Sequence, residues 1–317
     1  MAYAEGEIFK DTVKGISLSS LLCMACLYIP ILGFLCALLV PLPVLFYSSK
    51  LGRRSGLIIF GATIFILIIV LRNVSFDLVF FAELLFLGFI LSELFHINLS
   101  IEKTVSYACC GILATGIISL VIFGNIHGAG IYEITSEYVA INLKHSMELY
   151  KQMGMPEENM RMLSDNIELV QYVIIRIIPS LVIVSTLFIS WITLLIAKPL
   201  FAKKKLFYPD FGALNLWKAP EQLVWVVIGS FLMFLIRNKA IGCFGISILL
   251  VMIPIYFFQG IAIVSFYFEK KQLPKRLRIL IYSVIAFQYL AAAFLITGLG
   301  FFDIWLNVRK IEHPQNS

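Results

Sequence analysis

The chain has 317 residues, 60% of them hydrophobic and 14% charged, with a formal net charge of +6 and a mean hydropathy of +0.94. Ordinary soluble domains are roughly 45–50% apolar and about 25% charged, so this composition excludes a water-soluble fold. The positive charge sits in short clusters between apolar runs and forms no broad basic face, which excludes a duplex-binding surface and any nucleic-acid partner.

A helix rises ~1.5 Å per residue and needs about 20 apolar residues to cross a ~30 Å hydrocarbon core. By that rule the apolar runs are 15–48, 56–72, 77–97, 103–124, 172–197, 221–236, 241–267 and 279–302. Lys10 and Lys14 precede the first run, which continues to Tyr47 with no small-residue cleavage site and so reads as a retained signal anchor. It carries Pro30, Gly33, Pro41 and Pro43 and is too long for one span, so two short helices are expected there, with one broken helix as the alternative. The fold class is therefore all-α: a polytopic transmembrane helical bundle of about eight or nine spans.

Glu83 lies well inside the third run, where an exposed charge costs about 2.5–3.5 kcal/mol on insertion scales. It must face the bundle, be partnered or be protonated, and it is the leading ligand-binding candidate, with a structural interhelical hydrogen bond as the alternative. Glu93 and His96 follow near the end of the same run, with Glu93 offset from Glu83 by roughly 80° around the helix. Two stripes of small residues, Gly15, Ser19 and Cys23 on the first span and Ser106, Cys110 and Ala114 on the fourth, would let helix backbones approach closely. The first is a candidate helix-docking face, with internal packing as the alternative for both.

The stretch 127–171 carries seven acids against three Lys/Arg. Val139, Leu143, Met147 and Tyr150 share a helical face, Gly154 can end that helix in the left-handed region, and Pro156 with Glu157 and Glu158 opens another. An extracytoplasmic helical hairpin is expected, its second arm running straight into the next span. Segments 1–126, 127–171 and 172–317 thus divide the chain into N-terminal spans, polar hairpin and C-terminal spans. Arg176 opens the run after the hairpin and can snorkel to headgroups, pair with Glu83 or hold an anionic ligand. Gln259 and Gln288 sit mid-span, suited to bridging helices.

The basic clusters at Lys50, Arg53 and Arg54, at Lys198 to Lys205, and at Lys270 to Arg278 fall on one side, the cytoplasmic one, if 241–267 is a single span. The same parity sends Arg309 and Lys310 outside, whereas a break at Pro254 would return them and expel the 270–278 cluster. The side of the C-terminus stays open on sequence. Asp303 and Arg309, six residues apart, are too far apart for a pair along one helix face, so each is expected to contact another helix or headgroups.

The six cysteines lie in apolar stretches without histidine partners, where thiols pack as small hydrophobes. No GxxxxGK[ST], GxGxxG, HExxH or GxSxG occurs, so no cofactor, metal site, internal ATPase or enzymatic activity is expected.

The closing Gly-x-Phe-Asp303-x-Trp305-x-x-x-Arg309-Lys310, the segment Trp217-Lys-Ala-Pro220-Glu221, Gln259-Gly260, and the Gly154-Met-Pro-Glu hairpin before Ile178-Pro179 together resemble the YybS-like family of bacterial polytopic membrane proteins. The resemblance covers essentially the whole chain and implies a bacterial cytoplasmic-membrane location. It also implies distant similarity to the S components of energy-coupling-factor transporters and to the rod-shape protein MreD, but brings no catalytic residues. S components dock their energising subunit through small residues on the first helix; the Gly15, Ser19, Cys23 stripe matches that pattern without its characteristic alanines. The expected function is small-molecule binding or transport, with a site drawn from Glu83, Glu93, His96, Arg176 and Gln259. The alternative is a membrane scaffold that recruits other membrane subunits and binds no substrate. A polar cavity among the spans favours the first, and an exposed small-residue face the second.

Overall fold

The computed structural model describes residues 5–72, 76–287 and 289–309. Hydrocarbon offers no hydrogen bonds to a lipid-facing backbone, so helices that bond internally are the available solution, and among the described residues no strand occurs. The helices are α1 Glu5–Tyr28, α2 Pro30–Ala37, α3 Pro41–Leu51, α4 Arg53–Leu71, α5 Phe76–Phe95, α6 Ile101–His127, α7 Ile131–Gln152, α8 Glu157–Asp165, α9 Ile167–Lys204, α10 Leu223–Leu235, α11 Lys239–Lys270, α12 Lys275–Phe287 and α13 Tyr289–Leu306. Five of them, α4, α5, α6, α9 and α11, are long and apolar enough to cross a membrane. Leu35–Leu51, Leu223–Leu235 and Ala291–Leu306 are shorter apolar stretches.

The first apolar run is cut into three helices where two were expected. α1 begins at Glu5, ahead of the apolar residues, and Ile29 breaks it with an extended backbone (φ −123°). Pro30 and Pro41 then occupy the first turns of α2 and α3, where a missing N–H costs nothing.

The 241–267 run is one helix that continues through Pro254, as spans can when neighbours compensate for the lost bond. The interruption lies instead in the 279–302 run, which forms α12 and α13; Gln288 between them is outside the described residues.

The hairpin forms as α7 and α8. Gly154 (φ +77°) ends α7 with a Schellman pair: the Met155 N–H donates to the Tyr150 carbonyl (3.1 Å) and the Gly154 N–H to that of Lys151 (3.2 Å). The second arm is not continuous with the next span, because α8 stops at Asp165, the Asn166 amide donates to the Met162 carbonyl (2.8 Å), and α9 starts afresh at Ile167. At 38 residues α9 is ~57 Å long at 1.5 Å per residue, well beyond the hydrocarbon core.

The chain forms two compact units, 1–138 with 185–211, and 139–184 with 212–317. In the first, α1, α3, α4 and α5 pack around the fully buried Leu45, Ile59, Leu67, Leu85 and Leu91. Lipid is as apolar as these side chains, so association rests on close packing. Glycines supply it: a Cβ at Gly15 would stand 2.6 Å from Ile59, and one at Gly88 would collide with the Pro41 carbonyl. Asp11 in α1 accepts hydrogen bonds from Lys50 in α3 and from Lys14. The Lys50 ammonium holds the Asp11 carboxyl below its ordinary range.

In the second unit α11 packs on both α10 and α13. A Cβ at Gly245 would be 2.6 Å from the Ser230 carbonyl, and side chains at Gly260 or Gly300 would collide with the Ile296 or Tyr256 carbonyls. α12 starts beside the end of α11, where Arg278 Nε donates to the Leu273 carbonyl (2.8 Å) and Tyr282 packs on Phe268. α13 finishes at that same end, where the Tyr267 hydroxyl donates to the Val308 carbonyl (2.7 Å). The chain therefore reverses between α12 and α13, and Arg309 lies at the end of the unit that carries the 270–278 basic cluster.

Candidate functional site

A buried charge pair in an apolar unit is costly unless each lone pair and proton is matched, and the second unit contains one that is nearly matched throughout. Asp303 in the last turn of α13 and Arg309 just beyond it are 3% and 1% exposed at their side chains. Arg309 Nη2 donates to Asp303 Oδ2 at 3.0 Å. Helix-face spacing had argued against this pair. It forms because α13 ends at Leu306 and Asn307 takes a left-handed conformation (φ 40°), folding the chain back so that the pair closes across the helix end.

The node extends to two other elements. Gln259 of α11, fully buried, donates from Nε2 to Asp303 Oδ2 (3.3 Å) and accepts from the Ala219 N–H at Oε1 (3.1 Å). Arg309 Nη1 donates to the carbonyls of Asn215 (3.1 Å) and Trp217 (2.9 Å). The Val308 N–H donates to Asp303 Oδ1 (3.0 Å). Arg309 Nε alone in this set is buried without a partner among the described residues. The Asn215 amide donates to Glu269 (2.7 Å) at the rim. With its acids, amide and carbonyls all engaged, the node holds the 213–219 loop and the chain's end onto α11 and α13.

The residues that carried the family resemblance divide in two. Asp303, Arg309, Gln259 and the Trp217 carbonyl meet in the node. Glu221 instead pairs with Lys218 at an exposed position (2.8 Å), Pro220 is exposed and its carbonyl accepts from Leu223, and Trp305 stands outward, edge-to-face with Phe301. Trp305 fits an interfacial anchor.

In the first unit, Glu83 is half-buried and accepts from the Thr115 hydroxyl of α6 (2.7 Å), with Ser119 one turn on also bonded to it. Glu93, partly buried, lies 3.6 Å from the exposed Arg53 of α4, and His96 is exposed beyond the end of α5. Glu83, Glu93 and His96 do not converge on one site. In the second unit Arg176 is exposed, donates to the Tyr172 carbonyl (3.3 Å) and lies 3.4 Å over the Tyr172 ring, a cation–π contact within its own helix.

The small-residue stripes face opposite ways. Gly15, Ser19 and Cys23 are turned inward, Gly15 against Ile59 and Tyr47 and the other two fully buried, so the first-span stripe is covered by its own unit. Ser106, Cys110 and Ala114 on α6 are exposed.

A hollow of about 250 Å³ in the second unit is lined by the start of α9 (Leu169, Tyr172, Val173), the end of α10 (Phe234) and the turn into α11 with Arg237, Lys239 and Gly242. Sequence reasoning passed over Arg237 and Lys239; their signal was their place in the four-residue gap, 237–240, between two apolar runs. Thr115, Ser119 and Asn215 carried no such signal. Among the described residues no cluster of three or more His, Cys, Asp or Glu could hold a metal ion.

The long apolar helices and their glycine-mediated crossings define an all-α polytopic membrane protein. Residues 17–304 match the family described as "Predicted membrane protein (DUF2232)", and the chain belongs to that family. It is also similar to the "Uncharacterized protein YybS" of Bacillus subtilis (strain 168), with 22% identity over 313 residues, covering 93% of this chain and 95% of that protein. No solved structure matches.

Proposed function

We propose that this chain is a membrane-embedded interaction subunit of the bacterial cytoplasmic membrane, which docks a transmembrane helix of a partner protein on α6. The exposed stripe of Ser106, Cys110 and Ala114 carries the reading, because small residues on a lipid-facing helix are where another backbone can approach. α6 is also the least covered of the long apolar helices, 22% buried over its apolar window. Two of the polar residues that could serve a substrate within the spans are engaged by the protein itself: Glu83 by Thr115 and Ser119, Gln259 by Ala219 and Asp303.

Cys110 is a free, exposed thiol on the stripe. Thiol cross-linking in native membranes should join it to a discrete membrane protein, and Ser106→Leu or Ala114→Leu should abolish the adduct while the protein still accumulates. If Cys110 reacts fully with a small membrane-permeant thiol reagent yet yields no protein adduct, the proposal fails. A second reading, small-molecule binding or transport, is favoured by the cationic hollow. Uptake or ligand-dependent stabilisation that survives loss of the Cys110 adduct would select it.

A further inference from the structure

We propose that the hollow between α9, α10 and α11 holds an anionic phospholipid, with its phosphodiester on Arg237 and Lys239 and an acyl chain against Phe234 and Ile246. The inference is independent of the docking face on α6. Three observations lead to it. First, the connection from α10 to α11 is only Ile236 to Asn238, and both flanking helices are apolar. So short a link fixes Arg237 and Lys239 at the edge of the hydrocarbon, the depth of lipid headgroups. Second, the lining contains these two cations and no acid, and among the described residues neither has an acidic partner. The amides that open α11 do not supply the charge, because Asn238 accepts from Ala240 (3.0 Å) and Ile241 (3.4 Å).

Third, apart from Asn238 and Tyr172 the remaining wall is apolar. Free phosphate would leave that surface in water, whereas an acyl chain covers it. A singly charged phosphodiester joined to an acyl chain matches both parts of the hollow. Juxtamembrane cations contribute roughly 1 kcal/mol each toward anionic lipid, or about fivefold in affinity.

Full-length protein reconstituted in phosphatidylcholine vesicles with and without phosphatidylglycerol, then extracted and weighed by native mass spectrometry, tests this. The expected result is retention of phosphatidylglycerol over phosphatidylcholine, lowered roughly 25-fold by the Arg237→Gln, Lys239→Gln double variant and kept by Arg237→Lys, Lys239→Arg. Gly242→Leu separates the hollow from general surface charge. A Cβ there meets nothing nearer than 3.9 Å, so the side chain enters the hollow and should displace the lipid with both cations in place. Equal retention of the two lipids, unchanged retention in either the double-glutamine or the Gly242→Leu variant, or displacement by inorganic phosphate would each overturn the proposal.

Discussion

The two units bury polar groups by different means. In the first, Glu83 meets hydroxyls from one neighbouring helix, Thr115 and Ser119. In the second, Asp303 meets a full opposite charge, and that charge is itself fixed by carbonyls of a loop distant in sequence. The first arrangement is local: losing a hydroxyl leaves the helix pair in place. The second ties a loop, two helices and the chain's end together, so removing one member strands the rest. A buried pair broken on one side costs about 3–5 kcal/mol, whereas interhelical hydrogen bonds within a membrane average roughly 0.6 kcal/mol.

Asp303→Ala should therefore have the largest effect, destabilising the second unit by about 3–5 kcal/mol, seen as a lowered unfolding temperature in detergent and early proteolysis within 212–309. Replacing both partners, as Asp303→Leu with Arg309→Met, should recover most of that loss, since an apolar pair leaves no stranded charge; a double variant as unstable as the single one would break the comparison. Gln259→Leu comes next. It leaves the buried Ala219 N–H without its acceptor, at about 1–3 kcal/mol.

Glu83→Gln should shift stability by less than about 1 kcal/mol, because an amide oxygen still accepts from Thr115. A shift as large as that of Asp303→Ala, measured in the same melt, would show that the first unit also depends on charge.

The smallest effect belongs to Asp11 and Lys50, a pair near the surface worth ~0–1 kcal/mol. Pairing lowers the carboxyl in the folded state, so its contribution is present above the unfolded value near 3.9 and is lost as pH falls through the folded one. Lys50→Met should flatten that acid limb in stability measured against pH, lowering stability at neutral pH by that ~0–1 kcal/mol and leaving it unchanged at acid pH, where the pairing is already lost.

The reversal between α12 and α13 sharpens the topology as well. It keeps α11 whole and puts Arg309 at the end of the second unit that holds Lys270 to Arg278. A reporter fused at the C-terminus should therefore report the same side as one inserted among those basic residues.

Hydropathy and charge spacing on their own determined the helical class, the apolar runs, the acidic hairpin and its Gly154 turn. These are legible because a bilayer demands a minimum run length and a turn demands particular backbone angles, both local requirements. Pro30 and Pro41 marked breaks for the same reason, although their spacing understated the number of helices. What only the tertiary structure decided is which residues meet. Asp303 and Arg309 pair because Asn307 reverses the chain at a helix end, which helical spacing cannot express. Gly15, Ser19, Cys23 and Ser106, Cys110, Ala114 have the same four-residue rhythm, yet one stripe is buried and the other exposed. Period fixes which residues share a face, but only the packing of other helices decides whether that face is covered.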